Sequence, residues 1–224
     1  MDKHQRIKKI LRFLAHKIIA KYQPLVIGIT GSVGKTSTRH AIAAALSSKY
    51  HLREPEKNYN NEFGILLTIF GTGGLEKKHK TIGWLRVLAK AVSVWVLPNN
   101  YPKLLVLEYG IDHLGDMDAL LQIIKPKIVV MTNIGVSHKE NFSTTEAIAF
   151  EKGKLSASLS DNGIFVYNVD DTNVKEQTKR TKAHLLSYGK AGSGNNPEVV
   201  LEKIEEHLGA QSSTTLYIKS PVRD

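Results

Sequence analysis

Short apolar runs alternate with segments of helical periodicity along most of this 224-residue chain. Runs with the length of buried strands lie near residues 25, 105, 128, 164 and 185, and helical segments separate them. Apolar runs without polar alternation are typical of strands buried on both faces, as in parallel sheets. The pattern predicts an α/β fold, a mostly parallel, doubly wound sheet with helices on both faces. Beyond the fifth strand we expect a loop over 189–196, a helix over 197–207 and a strand over 214–219.

Residues 1–22 have the pattern of a basic amphipathic helix. Apolar side chains share one face, and the segment holds seven basic residues but only one acidic residue. We expect this helix to precede an ATP-binding domain over 23–224. Two interpretations stay open for it: adsorption to an anionic membrane surface, or packing on the domain with the lysines in solvent.

Residues 82–97 form a second apolar stretch, which contains Trp84 and Trp95 and is interrupted by Arg86 and Lys90. The stretch is short and charged for a membrane span, so a buried or interfacial helix is expected. Core packing is the favoured interpretation, although together with residues 1–22 this helix would also form a membrane-facing surface.

Charge and cysteine content narrow the class of protein. The formal net charge is +10, but most of the excess lies in residues 1–22, which argues against a nucleic-acid-binding face on the body of the fold. The chain contains no cysteine, so it has no disulfide and no thiolate metal site. We expect a cytoplasmic protein, peripheral at the inner face of the membrane if residues 1–22 adsorb there.

A glycine-rich turn follows the first predicted strand and leads into a helix. Its sequence is G-I-T-G-S-V-G-K-T-S-T over residues 28–38. The backbone N–H groups of such a turn and the helix N-terminus favour an anion, Lys35 would reach the β- and γ-phosphates, and Thr36 would hold Mg²⁺. The usual loop has glycine at the position of Ile29, and here that glycine is Gly28. We expect a nucleoside triphosphate site.

Two further candidates follow predicted strands. Glu108 ends the run L-L-V-L-E, and His138 follows the strand near residue 128. Ligands of open α/β sheets bind at the carboxyl ends of the strands, where a carboxylate and an imidazole are suited to hold a metal. An isolated glutamate or histidine in such a position is otherwise a solvated or structural residue.

Six blocks give the chain a family resemblance: G-x-T-G-S-x-G-K-T, N-Y-N-N-x-x-G, V-L-E-Y-G, T-N-I-G-V-S-H-K-E, F-S-T-T-E-A-I-A-x-E-K-G-K-L and N-G-I-F-V-Y-N-V-D-D. In order and spacing they resemble the motifs of the Mur ligases, most closely the D-alanyl-D-alanine-adding branch, from about residue 24 to residue 174. One departure is Gly64-Ile65-Leu66, where the family usually has Gly-x-Pro.

The resemblance implies roles for single residues. It implies ATP and two Mg²⁺ ions as cofactors, Lys35, His138 and Lys152 as catalytic residues, and a carbamylated Lys152 that joins His138 at the second metal. The first metal would be held by Thr36 and Glu108. The implied nucleotide contacts are Thr30, Gly31, Ser32, Val33, Gly34, Lys35, Thr36, Ser37, Asn168 and Asp171, and the implied substrate loop contains Asn58, Asn60 and Asn61.

Taken alone, several of these residues have ordinary structural interpretations. The asparagine cluster is typical of a turn and helix cap, and Lys152 of a solvated helix charge. The run Asn168-Val169-Asp170-Asp171 is typical of a turn and helix N-cap.

The resemblance implies ATP-dependent amide formation through an acyl phosphate, in which D-alanyl-D-alanine is added to a UDP-muramoyl peptide. We expect that the family domains that bind the uridine nucleotide and close over ATP are missing from this chain. A separate chain that supplies them is one expectation. The alternatives are a truncated or non-catalytic nucleotide-binding module and, among enzymes, a folylpolyglutamate synthetase, against which the asparagine block argues.

Overall fold

The computed structural model describes residues 3–56, 59–73, 80–135, 141–207 and 213–219. The helices of these segments are α1 (Lys3–Tyr22), α2 (Lys35–Ser47), α3 (Glu62–Phe70), α4 (Lys80–Val96), α5 (Asp116–Leu121), α6 (Thr145–Ala157), α7 (Thr172–Glu176) and a 3₁₀ turn (Gln177–Arg180). The strands are β1 (Leu25–Thr30), β2 (Leu52–Arg53), β3 (Leu104–Glu108), β4 (Ile128–Met131), β5 (Ile164–Asn168), β6 (His184–Lys190), β7 (Val199–His207) and β8 (Ser213–Lys219).

All eight strands belong to one sheet in the order β2-β3-β1-β4-β5-β6-β7-β8. Every neighbouring pair is parallel except β7 and β8, which are antiparallel. The chain leaves β1 toward β2 on one side, and β4 returns on the other side of β1. The strand order therefore reverses at β1, and open α/β sheets bind ligands beside such a reversal, at the carboxyl ends of the strands. The predicted mostly parallel α/β fold is confirmed.

The two faces of the sheet are covered by different helices. The larger core joins α1, α3, α4, α5 and α6 to one face, and a smaller core places Ile42 and Leu46 of α2 against the other. Strand β3 is buried along its whole length, as its uninterrupted apolar run requires. Helices on both faces thus bury β3 entirely and β1 from Val26 onward.

Helix α1 packs on the domain. Its inward face is fully buried through Leu11, Leu14 and Ile18, and the Tyr22 hydroxyl donates a hydrogen bond of 2.9 Å to the carbonyl of Val94 in α4. The packing interpretation of the amphipathic pattern is therefore confirmed for this face. None of the helices in the described segments is long and apolar enough to cross a membrane.

The sequence prediction fails over 197–207, where the expected helix is strand β7. Its first residues pair in parallel with β6, and the rest pairs in antiparallel fashion with β8. Whether a segment forms a strand depends on the strands available to pair with it, and this segment lies between β6 and β8. Helix α2 begins at Lys35, within the glycine-rich motif, and α5 covers only Asp116–Leu121.

Candidate nucleotide-binding and catalytic site

The phosphate loop leaves the end of β1 in a conformation that only glycine adopts easily. Gly31 has φ 152°, and a Cβ atom there would lie 1.9 Å from the Thr132 hydroxyl oxygen. Gly34 has φ 81° and is the N-cap of α2. Both glycines therefore permit the close turn that aims the loop and the N-terminus of α2 at one place.

Asn133 ties this loop to the end of β4. Its side-chain oxygen accepts hydrogen bonds from the backbone N–H groups of Ser32, at 3.0 Å, and Val33, at 2.8 Å. The Ser32 hydroxyl donates to the carbonyl of Gly135 at 2.9 Å. The loop is therefore held in shape by the neighbouring strand end before any ligand binds.

Two lysines converge on one carbonyl oxygen of the loop. Lys35 Nζ lies 2.8 Å from the Gly31 oxygen, and Lys152 Nζ lies 3.0 Å from the same atom. Lys152 comes from the middle of α6, and its side chain is only 1% exposed. A residue that looks like a solvated helix charge in the sequence thus lies buried against the glycine-rich loop.

Burial changes the proton affinity of both lysines. Loss of solvent lowers the pKa of Lys152 to about 7, with the nearby Lys35 charge acting in the same direction and Asp112 opposing it. Burial also lowers the pKa of Lys35, against the opposing charges of Glu108 and Asp112. Lys152 is therefore a lysine with a large neutral fraction near neutral pH.

Glu108, at the end of β3, is buried between α2 and the loop. Its Oε2 accepts a hydrogen bond from the Thr36 hydroxyl at 3.2 Å, and its Oε1 lies 2.9 Å from Arg39 Nε. Both Glu108 and Arg39 are 1% exposed. The Arg39 contact is an ion pair without aligned hydrogen-bond geometry, and Oε1 has no hydrogen-bond partner in the described residues. Glu108 is thus an oriented, buried carboxylate beside the phosphate loop.

These groups fit one Mg²⁺ ion that takes its other ligands from phosphate and water. Mg²⁺ in nucleotide sites is usually held through one or two carboxylates and substrate phosphates, and Thr36 and Glu108 supply a hydroxyl and a carboxylate side by side. Among the described residues no group of three or more His, Cys, Asp and Glu side chains is placed to hold a metal. His138 and Asn58 lie outside the described residues.

Three predicted loop contacts differ in their surroundings. The Thr30 side chain is buried, and its hydroxyl donates to the carbonyl of Tyr109 at 2.9 Å. Val33 and Ser37 are exposed. The Thr30 hydroxyl thus serves the fold, and a nucleotide contact by this residue stays a prediction.

Asn168 and Asp171 line a cavity of about 540 Å³ beyond the end of β5, together with Tyr188. Asn168 donates to the carbonyl of Thr132 at 3.1 Å, and Asp171 accepts from the N–H of Ile134 at 3.0 Å. Asp171 also caps α7, which confirms the N-cap interpretation. Both residues therefore lie beside a cavity at the strand end, and a nucleotide contact by them stays a prediction.

The asparagine segment lies against the site. Asn61 caps α3 by accepting the N–H of Gly64 at 3.0 Å, which confirms the turn-and-cap interpretation for this residue. The Asn60 carbonyl accepts the N–H of Gly110 at 2.9 Å, two residues beyond Glu108. The segment is therefore anchored next to the carboxylate.

Sequence reasoning missed the supporting residues Arg39, Asn133 and Asp112. Arg39 follows Thr36 by three residues, so both lie on the same face of α2. That spacing is a signal that could have identified Arg39 from the sequence. Asn133 belongs to the T-N-I-G-V-S-H-K-E block, which gives it no role by itself. Asp112 raises the pKa of Lys152 only because the fold brings the two residues close together.

Comparison with known proteins agrees with this geometry. The Mur ligase middle domain model matches residues 29–221. The UDP-N-acetylmuramoyl-tripeptide–D-alanyl-D-alanine ligase from Mycobacterium leprae is 31% identical, and the match covers 88% of this chain and 34% of that protein. The corresponding ligase from Borreliella burgdorferi is 34% identical, and the match covers 71% of this chain and 28% of that protein. The MurF ligase from Thermotoga maritima in complex with ADP superposes with a TM-score of 0.71 and 24% identity, over 96% of this chain and 42% of that one.

The chain thus spans about a third of the length of the curated relatives that it matches. The match nevertheless includes the phosphate loop from residue 29 onward, the strand of Glu108 and the helix of Lys152. By its sequence and by the arrangement of these residues, the chain belongs to the Mur ligase family, which it matches through the middle domain.

Proposed function

We propose that this chain binds Mg²⁺-ATP and serves an ATP-dependent carboxylate–amine ligase. The observation that carries the proposal is the position of Lys152, which is buried in α6 and reaches the phosphate loop at the Gly31 carbonyl. A bare P-loop needs no such second lysine. In the proposed reaction the substrate carboxylate attacks the γ-phosphorus of ATP, ADP leaves, and an amine then displaces phosphate from the acyl phosphate.

The residues of the loop supply positioning and charge. Lys35 donates a hydrogen bond to the Gly31 carbonyl and would instead contact the β- and γ-phosphate oxygens when a nucleotide binds. Thr36 and Glu108 would hold Mg²⁺, which neutralises charge on the phosphates when bound. Phosphoryl transfer depends on positioning and electrostatic stabilisation more than on protein nucleophiles, and this donor set provides both.

We also propose that Lys152 is carbamylated. The ammonium group first loses one proton to solvent, and the neutral amine then attacks CO₂. A nitrogen–carbon bond forms and a second proton passes to solvent, so a cation becomes an anionic group with two oxygens. The pKa of about 7 makes the neutral amine available at neutral pH. The product would relieve the repulsion between Lys152 and Lys35, and with His138 it would offer ligands for a second Mg²⁺.

The names of the relatives suggest the substrates. We propose that the ligase adds D-alanyl-D-alanine to a UDP-muramoyl tripeptide in peptidoglycan precursor synthesis, in the cytoplasm. Because the chain spans about a third of those relatives, we propose that a separate chain or another part of the protein binds the substrates. The short match also favours a second candidate, a nucleotide-binding module without ligase activity of its own.

Carbamylation is tested by ¹³C NMR of the protein in ¹³C-bicarbonate, without any substrate. We expect a carbamate resonance in the parent chain and none in Lys152→Met. Lys154→Met is the matched control, because Lys154 lies on the same helix but pairs with Glu151 and Asp118, which raises its pKa and keeps it charged. A resonance that survives in Lys152→Met would contradict the proposed modification.

Ligase activity is tested by mass spectrometry after incubation with Mg²⁺-ATP, bicarbonate, UDP-muramoyl tripeptide and D-alanyl-D-alanine. Ligated product from the chain but not from Lys152→Met would establish the activity. Mg²⁺-ATP binding without product would show that this chain alone is not a ligase, which leaves the nucleotide-binding module and a ligase that needs the separate substrate-binding part. Absence of ATP binding would reject both candidates.

A further inference from the structure

Helices α1 and α4 present a joint outer surface of apolar side chains that the domain does not cover. It comprises Ile10, Phe13, Leu85, Val92, Val96 and Leu97, which are 43% to 64% exposed. We call this set the α1–α4 surface. On α4, Leu85, Val92 and Val96 recur at i, i+7 and i+11, so they form one stripe along the helix.

The two halves of this surface meet at Trp95. The rings of Phe13 and Trp95 pack edge to face with centroids 6.2 Å apart. Lys21 donates to the carbonyls of Trp95 and Leu97 at 2.7 and 3.1 Å and so joins the end of α1 to the end of α4. These contacts join α1 to α4, so the exposed apolar residues lie on two adjoining helices rather than scattered over the protein.

The charged side chains on the two helices that form this surface are all basic. Neither α1 nor α4 contains an aspartate or glutamate. Exposed cations flank the apolar residues, with Arg6, Lys9 and Lys17 on α1 and with Arg86 and Lys90 on α4. Lys17 lies 5.4 Å from the Phe13 ring centroid, so charge directly borders the apolar part. An apolar strip edged by cations complements the acyl boundary and anionic headgroups of a lipid bilayer.

We propose that the α1–α4 surface docks on an anionic phospholipid bilayer. The buried face of α1 keeps its contacts with the domain, because Leu11, Leu14 and Ile18 point inward while Ile10 and Phe13 point outward. Packing and membrane contact are thus served by opposite faces of one helix. Docking of this kind is peripheral, at the boundary between headgroups and acyl chains.

The first test is flotation of the full chain with vesicles of phosphatidylglycerol and phosphatidylcholine, or of phosphatidylcholine alone. We expect binding to the anionic vesicles that falls with salt, and little binding to the neutral ones. The variant Phe13→Ser/Val96→Ser should reduce partitioning about tenfold. The control Leu114→Ser/Leu185→Ser removes exposed apolar residues elsewhere and should bind as the parent does.

Charge is tested by the variant Arg6→Gln/Lys9→Gln/Lys90→Gln against Lys49→Gln/Lys125→Gln/Lys182→Gln, which removes three exposed cations outside the surface. We expect the first variant to lose about tenfold in binding to anionic vesicles and the second to lose little. Equal losses would mean general attraction of a basic protein and would overturn the proposal. Equal binding to neutral vesicles would overturn it as well.

A label provides a readout that does not depend on the folding of multiple variants. Since the chain has no cysteine, Val92→Cys and Leu185→Cys each accept one environment-sensitive fluorophore, and both parent residues are 43% exposed. Anionic vesicles should shift the emission at position 92 to the blue and leave position 185 unchanged. If sedimentation without lipid instead shows a dimer that Phe13→Ser/Val96→Ser dissociates, the surface is an interface between copies of this chain and the proposal is wrong.

Discussion

Arg39 Nε lies 2.9 Å from Glu108 Oε1, and both side chains are almost completely buried. Arg39 also donates to the carbonyl of Pro55 and lies 3.4 Å from Glu54, so its position is fixed from several sides. The pair leaves the other carboxylate oxygen, Oε2, beside Thr36. Arg39 is therefore a positioning residue for the carboxylate that we expect to hold Mg²⁺.

Breaking this pair should cost stability and metal-dependent binding together. We expect Arg39→Met to lower the free energy of unfolding by about 3 kcal/mol, because it leaves a buried carboxylate without its partner. The double variant Arg39→Met/Glu108→Gln should lose less than the sum of the single variants. Urea unfolding of the parent, the two single variants and the double variant measures the stability effect. Titration with ATP, with and without Mg²⁺, measures the loss of metal-dependent binding. Additive losses would show that the two residues do not act as a pair.

The geometry of the phosphate loop predicts a sharp difference between two glycines. In Gly31→Ala the new methyl group would overlap the Thr132 hydroxyl, so we expect loss of ATP binding by at least about a hundredfold. Gly115→Ala is the control, since its φ is also positive, at 92°, but no atom lies within 4 Å of the added Cβ. It should cost about 1 kcal/mol of stability and leave ATP binding unchanged. Calorimetric titration of both variants distinguishes these outcomes.

Lys152 should make stability depend on pH. Its pKa is about 7 in the folded chain and near 10.5 when unfolded, so the unfolded state binds more protons between these values. Stability from this group therefore rises with pH from about 7 to about 10, by about 1 kcal/mol per pH unit. The unfolding free energy of the parent minus that of Lys152→Met, both measured in CO₂-free buffer, should rise with pH at that slope. A pH-independent difference would show that Lys152 stays charged when buried.

Glu151, the neighbour of Lys152, should affect stability alone. Its Oε1 accepts the N–H groups of Gly115 and Met117 at 3.0 and 2.9 Å and so holds the start of α5. We expect Glu151→Ala to lower the free energy of unfolding by about 2 kcal/mol, because buried N–H groups lose their acceptor. ATP binding below the melting temperature should remain as in the parent chain. Loss of binding at full folding would place Glu151 in the site itself.

The sequence alone was sufficient for the elements that depend on local chemistry. Apolar runs predicted the parallel strands, and the order of strand, glycine turn, Lys35 and helix predicted the phosphate loop. Local hydrogen-bonding chemistry predicted the caps at Asn61 and Asp171. These features follow from residues that are close in the chain, so pattern and spacing specify them.

The tertiary structure decided what depends on distant partners. Segment 199–207 is a strand because β6 and β8 lie on either side of it, although its periodicity suggested a helix. In the sequence Lys152 looks like a solvated helix charge. In the folded chain α6 packs against the sheet, and Lys152 donates a hydrogen bond to the carbonyl of Gly31, 121 residues earlier in the chain. The family resemblance pointed to Lys152, but its burial and lowered pKa arise from that packing. Burial and charge pairing are properties of the folded neighbourhood, so no local pattern specifies them.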